Sequence, residues 1–233
     1  MTKAPRAGQV KTRLTPPLTP EEAAVLNICF LRDTTAAISA TAAKGRARGI
    51  AAYTPVGSEG AFAEILPAHF ELVAQRGEDF GVRLNSAVED LLKLGFESLC
   101  LINSDSPTVP QSAYARAVEA LANAPDRIVL GPSEDGGYYL IGLNKTHARL
   151  FEEIEWSTEK VFAQTMERAK EIGVEVELLP AWYDIDDQAT LRRLCRELLG
   201  AEATAAGYPA TETHGFLANL IAREGRDRIW PNE

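Results

Sequence analysis

The sequence predicts an α/β fold, with a largely parallel sheet covered by helices on both faces. Short apolar runs, such as residues 98–102 and 126–130, alternate with amphipathic stretches that have helical spacing. Several of these runs end abruptly at polar loops that contain acids. The chain has 233 residues, of which 45% are hydrophobic, so we expect one domain spanning residues 1–233.

The first half of the chain begins with a well-defined helix start. Thr19 is placed to cap this helix, Pro20 suits its first turn, and Glu22 completes a capping box. Its apolar positions continue to about Lys44. We expect next a strand over residues 48–53, a short helix near 61–66, a short strand near 70–74 and a helix over 82–94.

The second half contains the stretch that directs attention to function. A buried strand over residues 98–102 delivers Asp105 to the carboxyl edge of the sheet, where α/β proteins bind ligands. The expected elements that follow are a helix over 110–123, strands over 126–130 and 138–143, a helix from Ser157 or Thr158 to about 172, a strand over 174–179 and a helix over 188–199. Residues 200–233 are predicted to be a loose C-terminal extension with a short helix near 216–221.

The N-terminal segment is basic and is not preceded by a strand. Residues 3–18 contain four cations and no acid, with Gly8 among them. Lysine and arginine charges beside a glycine suit phosphate oxygens, but a solvated, frayed terminus has the same composition. Doubly wound folds usually begin with a strand that leads into the phosphate loop, so the first strand of the sheet is predicted to be missing.

Composition excludes several classes of function. The net charge of −9 argues against non-specific binding to nucleic acid or to anionic membranes. Three widely separated cysteines without a CxxC pair indicate free thiols rather than structural zinc. No apolar run approaches a membrane span, and the N-terminus lacks the apolar core of a signal peptide, so a cytoplasmic location is expected. The oligomeric state is not predicted.

Acids follow the predicted strands at several places. These acids are Asp79, Asp105, Glu134 with Asp135, and Asp184 with Asp186. Carboxylates that converge at one edge of a sheet repel each other unless a cation lies among them. Mg²⁺ or Mn²⁺ is expected there, held by one or two carboxylates and by substrate phosphates. Each acid taken alone is equally explained as a turn or helix-cap residue.

Other common chemistries lack their motifs. The three histidines have no HExxH spacing, and there is no GxSxG to support a serine hydrolase. The sequence also contains neither GxGxxG nor GxxxxGK[ST], which disfavours Rossmann dinucleotide binding and P-loop hydrolysis.

Five blocks of the sequence together resemble a known family. They are residues 3–14 (KAPRAGQVKTRL) with 18–23, residues 104–110 (SDSPTVP), residues 130–143 (LGPSEDGGYYLIGL), Trp156-Ser157-Thr158 and Asp184-Ile185-Asp186. They resemble the GT-A-fold transferases described as arsenosugar-biosynthesis-type or radical-SAM-associated glycosyltransferases (domain of unknown function 2064). The segment 11–14 also resembles the 2-phospholactate guanylyltransferases.

The resemblance implies a nucleotide-diphospho-sugar transferase fold with three α/β/α layers. It further implies a metal-dependent transfer of sugar from a nucleotide diphospho-sugar to a small acceptor. Nucleotidyl transfer from an NTP to a phosphorylated acceptor, with release of pyrophosphate, stays open as the alternative. A third possibility is a non-catalytic nucleotide-binding remnant, because the first strand is predicted to be missing. Neither a nucleic acid nor a membrane is expected as a partner.

The same resemblance implies roles for individual residues. Asp105 and Asp186 would be the ligands of Mg²⁺ or Mn²⁺. The nucleotide and its phosphates would be bound by Lys3, Gly8, Lys11, Thr12 and Arg13. Gly136, Gly137 and Tyr138 would line the acceptor side, where Asp135 or Glu134 would position or deprotonate the acceptor hydroxyl.

Overall fold

The computed structural model describes residues 1–42, 47–122, 126–200 and 207–230, which form seven strands and seven α-helices. The strands are β1 (Thr2–Lys3), β2 (Ile50–Thr54), β3 (Glu71–Ala74), β4 (Leu99–Ile102), β5 (Ile128–Pro132), β6 (Tyr138–Leu143) and β7 (Val176–Leu178). The helices are α1 (Pro20–Ala42), α2 (Phe80–Lys93), α3 (Gln111–Ala122), α4 (Val161–Glu171), α5 (Gln188–Leu199), α6 (Thr211–Glu224) and α7 (Arg226–Ile229). None of the described helices has the length and apolar composition that crossing a bilayer requires.

The strands form two sheets, and most of their pairings are parallel. The first sheet has the order β1-β2-β3 and is parallel throughout. The second has the order β4-β6-β5-β7, in which β5 and β7 are parallel and β6 runs antiparallel to both of its neighbours. The prediction of a mostly parallel sheet is therefore confirmed, with β6 as the reversed strand among those described.

Helices cover both faces of the second sheet, because its central strands are apolar on both sides. On β5, Ile128 and Leu130 pack in a cluster with α2 and α4, whereas Val129 packs in a cluster with α1 and α3. This alternation follows from the two-residue period of a strand. The result is the predicted arrangement of three layers, helix, sheet and helix.

Two predicted elements differ from the structure. The helix expected near residues 61–66 is a short 3-10 turn, Glu59–Phe62. The helix expected to start at Ser157 or Thr158 starts at Val161, because Ser157 has a left-handed backbone with φ 64° and lies in the preceding loop. The helix ends predicted near Lys44 and residue 123 lie outside the described residues.

The C-terminal segment is packed rather than loose. Leu217, Leu220 and Ile229 are fully buried in a cluster that α6 and α7 share with α1 and α5. Asp33 on α1 fixes the start of α6, since its carboxylate accepts hydrogen bonds from the amides of Glu212 (3.0 Å) and Thr213 (2.8 Å). The prediction of a loose extension is wrong for residues 207–230, and residues 201–206 lie outside the described part of the chain.

Replacing Asp33 with alanine is expected to lower the free energy of unfolding by about 2 to 3 kcal/mol, because the Glu212 and Thr213 amides lose a charged acceptor. Asparagine keeps one acceptor oxygen for one of these amides, but its NH₂ group cannot accept a hydrogen bond from the other. Urea unfolding at equilibrium would measure both variants, and Asp33→Asn should lose less stability than Asp33→Ala. An alanine variant with the wild-type urea midpoint would contradict this account of α6.

The first strand is present, but it is only two residues long. Thr2 pairs with Tyr53 of β2, and the Met1 amine donates a hydrogen bond to the Ile102 carbonyl of β4 (2.8 Å), so β1 bridges the two sheets. Beyond it, β2 and β4 face each other across a cavity of about 430 Å³, lined by residues 50–52, residues 99–102 and apolar side chains of α1, α2 and α3. We call this space the interstrand cavity. The prediction of a missing first strand is thus corrected, because a first strand of two residues is present.

Candidate functional site

A cleft of about 540 Å³ lies at the carboxyl ends of β1, β2, β3 and β4. The basic loop, residues 9–13, forms part of its wall, together with the loop after β4 and the start of β6. Its acidic lining residues are Asp105, Asp135, Asp184 and Asp186. The acids predicted to converge at the sheet edge do so, with two exceptions. Glu134 lies outside the lining, and Asp79 caps α2 by accepting a hydrogen bond from the Val82 amide (2.8 Å).

Lys11 lies at the centre of this cleft, between two carboxylates. Its Nζ is 2.7 Å from Asp105 Oδ1 and 3.0 Å from Asp186 Oδ1, and it also donates a hydrogen bond to the Ile185 carbonyl (2.8 Å). Only 5% of the Lys11 side chain is exposed. Burial acts to lower the pKa of this ammonium group, but the charges of Asp105 and Asp186 outweigh it and the pKa is raised. Lys11 is therefore a permanently charged bridge between the two acids.

Backbone structure brings these three residues together. Lys11 has a left-handed backbone (φ 48°) at the entry to a 3-10 turn, Thr12–Leu14, which is anchored by the fully buried Leu14. Asp105 follows β4 directly, and its carbonyl accepts a hydrogen bond from the Ile185 amide (2.9 Å). This contact ties the loop after β7 to the loop after β4.

The predicted nucleotide-binding residues divide into two groups. Lys3, Lys11, Thr12 and Arg13 line the cleft, whereas Gly8 is not among its lining residues. Arg13 is exposed, and its Nη1 is 3.8 Å from Asp186 Oδ2. The Lys3 ammonium donates a hydrogen bond to the Gln9 carbonyl (3.0 Å), which holds the basic loop in a closed turn. Lys3 of β1 and Arg13 of the basic loop are therefore cleft-lining cations that remain accessible to a phosphate.

The donor atoms near Lys11 are of the type that Mg²⁺ or Mn²⁺ prefers. Asp105 and Asp186 together offer hard carboxylate oxygens, and both side chains are partly exposed to the cleft. Within the described part of the chain, no group of three or more His, Cys, Asp or Glu side chains is arranged to hold a metal ion. These two acids therefore fit a Mg²⁺ or Mn²⁺ ion whose other ligands come from substrate phosphates and water, and metal binding stays a prediction.

The predicted acceptor residues do not all face the cleft. Asp135, Gly137 and Tyr138 line it, and Asp135 accepts a hydrogen bond from the Gly137 amide (2.9 Å). Glu134 lies outside the lining, where both of its oxygens accept hydrogen bonds from Arg193, and this pairing lowers the pKa of the Glu134 carboxyl group. Asp135, rather than Glu134, is the carboxylate that can reach an acceptor.

Gly136 has a structural reason to be glycine. Its φ is 89°, and a Cβ atom at this position would lie 2.2 Å from the Glu159 carbonyl oxygen. It lies outside the lining of the cleft, so it shapes the turn between β5 and β6 without lining the acceptor side.

Asp184 is an additional acid in the cleft to which the sequence did not assign a role. Burial raises its pKa to about 6, with further contributions from the charges of Asp135 and Asp186. The Ser133 hydroxyl donates a hydrogen bond to it (3.2 Å). The sequence contained a signal for Asp184, since it stands two residues before Asp186 in the same motif.

Several further lining residues were not predicted as site residues. Among them are Asn27, Phe80, Arg83 and Trp156. Asn27 is buried in α1, and its Oδ1 has no hydrogen-bond partner, which leaves an acceptor atom available at the cleft. Trp156 belongs to one of the sequence blocks that carry the family resemblance. Asn27, Phe80 and Arg83 belong to none of these blocks, so the sequence did not mark them as site residues.

Comparisons with known proteins agree with this architecture. A family model described as "Uncharacterized protein conserved in bacteria (DUF2064)" matches residues 37–158, more than half of the chain. A crystal structure from Desulfovibrio desulfuricans G20, named provisionally as a nucleotide-diphospho-sugar transferase, is 29% identical with a TM-score of 0.79. The match covers 96% of this chain and 94% of that one, and it shows that the chain has a GT-A-like fold.

A second solved structure is more distant. It is a CMP:2-keto-3-deoxy-manno-octonic acid synthetase in complex with CTP, 13% identical with a TM-score of 0.44, and the match covers 69% of this chain and 85% of that one. No curated protein matches the chain.

Proposed function

Because this chain belongs to the family described as "Uncharacterized protein conserved in bacteria (DUF2064)", and because it has a GT-A-like fold, we propose that it is a transferase acting on a nucleotide diphospho-sugar. The sugar would pass to a small acceptor bound at the Asp135 side of the cleft. The Desulfovibrio desulfuricans G20 structure, which resembles this chain over almost the whole length of both, is itself assigned provisionally to the nucleotide-diphospho-sugar transferases.

The observation that carries the proposal is the bridge formed by Lys11, Asp105 and Asp186. Two carboxylates and one ammonium group leave one net negative charge at the centre of the cleft. Such a centre attracts a divalent cation more strongly than it attracts a bare phosphate. Lys3 and Arg13 line the same cleft and offer positive charge for phosphate oxygens. The arrangement therefore suits a nucleotide diphosphate that arrives as its metal complex.

Within this proposal, each residue has a defined task. Asp105 and Asp186 would hold Mg²⁺ or Mn²⁺. When bound, the metal ion would neutralise negative charge on the departing diphosphate. Lys3, Thr12 and Arg13 bind phosphate oxygens. Asp135 orients the acceptor hydroxyl and takes its proton. The acceptor oxygen then forms a bond to the anomeric carbon of the sugar, and the bond between that carbon and the diphosphate breaks.

Calorimetric titration with UDP, GDP and CDP sugars in the presence of Mn²⁺ tests the donor. We expect one of these nucleotides to bind, and Asp105→Ala to weaken its binding at least tenfold, because the variant removes a metal ligand and a partner of Lys11. Asp227→Ala is the matched control, since Asp227 is an exposed acid on α7 outside the cleft. The proposal fails if none of the nucleotide sugars binds, or if Asp105→Ala binds as tightly as the wild type.

Nucleotidyl transfer is the second candidate, because the same groups would serve it. A metal ion at Asp105 and Asp186, with Lys3 and Arg13 as the accessible cations, would suit a nucleoside triphosphate as its metal complex as well as it suits a nucleotide sugar. Incubation with each NTP and a set of sugar phosphates, followed by a pyrophosphate assay, separates the two reactions. Release of pyrophosphate would support nucleotidyl transfer, whereas nucleotide binding without either reaction would support the non-catalytic alternative.

A further inference from the structure

One wall of the cleft combines an arginine with two aromatic rings. Phe80 and Arg83 lie in the first turn of α2, and Trp156 lies in the loop before α4. The Phe80 and Trp156 ring centroids are 5.1 Å apart with an interplanar angle of 85°, and the Arg83 guanidinium carbon is 6.0 Å from the Phe80 centroid. All three side chains line the same cleft as Asp135. We call these three residues the aromatic wall.

Arg83 has no acidic partner among the described residues, although most of the other arginines that the structure describes have one. Its Nη1 donates a hydrogen bond to the Glu78 carbonyl (3.1 Å), and no carboxylate among the described residues forms an ion pair with it. Arg76 and Arg127, by contrast, are each paired with acids. In a chain with a net charge of −9, a half-buried guanidinium that lines a cleft and forms no ion pair of its own with a described residue is suited to an anion from outside.

The aromatic rings are accessible, and they are held in place. Phe80 is 42% exposed, which is high for a large apolar side chain. Trp156 packs directly on the backbone of α2, because a Cβ atom at Gly81 would lie 2.8 Å from the indole Nε1. Ser157 follows with a left-handed backbone (φ 64°), an uncommon conformation for a residue other than glycine. The wall is therefore a preformed surface.

From these observations we propose that the aromatic wall binds an acceptor that carries an anionic group, carboxylate or phosphate, beside an apolar face. Arg83 holds the anion through its remaining N–H groups, and the rings of Phe80 and Trp156 contact the apolar face. This inference rests on the proposed function, since it names the class of acceptor for the same cleft. It also accounts for an exposed phenylalanine beside an arginine without an acidic partner.

Indole N–H resonances provide a direct test, because the chain has only three tryptophans, Trp156, Trp182 and Trp230. Trp156→Phe assigns the relevant signal. Inorganic phosphate and acetate are the two probes, titrated at constant ionic strength with chloride as the reference. We expect saturable movement of the Trp156 resonance with at least one of them, and the anion that binds more tightly identifies the kind of acceptor.

Two arginine variants make this test specific. Arg83→Gln should weaken anion binding at least tenfold at the Trp156 resonance, and Arg83→Lys should weaken it about threefold because the charge is kept. Arg226→Gln is the matched control, since Arg226 lies 4.1 Å from the ring centroid of a different tryptophan, Trp230. It should leave the response of Trp156 unchanged.

The inference is overturned if neither anion moves the Trp156 resonance, if Arg83→Gln responds like the wild type, or if uridine and cytidine move it at lower concentrations than the anions do. The last result would make the wall a base-stacking site. Donor binding is measured separately through Asp105→Ala, so loss of the proposed function and loss of the acceptor subsite give different patterns of results.

Discussion

Replacing Lys11 with methionine is expected to lower the free energy of unfolding by about 3 kcal/mol, because it leaves Asp105 and Asp186 without their shared cation. Methionine keeps most of the apolar stem of lysine and removes the ammonium group, which also lies 5.6 Å from the Phe30 ring centroid, so most of the loss reports on charge. Urea unfolding at pH 7 measures it. The two carboxylates remain partly exposed, so water limits the penalty of leaving them unpaired.

The same variant separates a metal site from a simple ion pair. Without the ammonium group, Asp105 and Asp186 carry two unbalanced negative charges, and Mn²⁺ should stabilise Lys11→Met more than it stabilises the wild type. A cation present at about one hundred times its dissociation constant adds about 2.7 kcal/mol to the free energy of unfolding, and a thermal melt detects a change of this size easily.

The control is the double variant Lys11→Met with Asp186→Asn, which should lose the response to Mn²⁺. Equal stabilisation of the wild type, the single variant and the double variant would show that Mn²⁺ binds elsewhere. Absence of any response in Lys11→Met would count against Asp105 and Asp186 as metal ligands.

Features set by local chemistry were predictable from the sequence. The capping box at the start of α1 is present, with the Thr19 hydroxyl accepting a hydrogen bond from the Glu22 amide and the Glu22 carboxylate accepting one from the Thr19 amide. Both partners lie within four residues of each other, so the pattern alone defines the contact. The position of Asp105 after β4 was also predictable from local sequence, because the apolar run 98–102 stops at a polar loop that contains this acid.

Features set by distant partners were not predictable. Glu134 and Asp135 are neighbours and look equivalent in the sequence, but Arg193, which is 59 positions away, holds Glu134 outside the cleft. Lys11 was expected to contact phosphate, and its ion pair with Asp186 spans 175 positions. The packing of α6 depends on Asp33, which is 180 positions from Thr213. Periodicity and spacing carry no information about such pairs.

The interstrand cavity leads to the second prediction with a large effect. Among the described residues, residues 50–52 of β2 have no strand partner on the side that faces β4. Met1, which precedes β1, joins β4 through the hydrogen bond from its amine to Ile102. Burial lowers the pKa of this amine to about 6, although the negative charge of Asp105 acts to raise it. The Met1 amine thus lies at the point from which a longer first strand would run between β2 and β4.

Joining five alternating valine and isoleucine residues to Met1 is expected to raise the melting temperature by about 6 to 12 °C. Five extended residues span about 17 Å, and each buried side chain contributes about 1.5 to 3 kcal/mol. The loss of conformational entropy on ordering the extension costs about 1 to 2 kcal/mol per residue and offsets much of this gain. We therefore expect a net stabilisation of about 3 kcal/mol. Differential scanning calorimetry measures the shift.

A five-residue extension in which valine alternates with proline is the matched control. It has similar apolar character, but proline provides no N–H for pairing, so it should leave the melting temperature unchanged. Amide exchange gives a second measurement, since the valine and isoleucine extension should slow exchange in β2 and β4 and the proline extension should not. If both extensions stabilise the chain equally, the gain comes from non-specific burial, and the facing edges of β2 and β4 do not accept a strand.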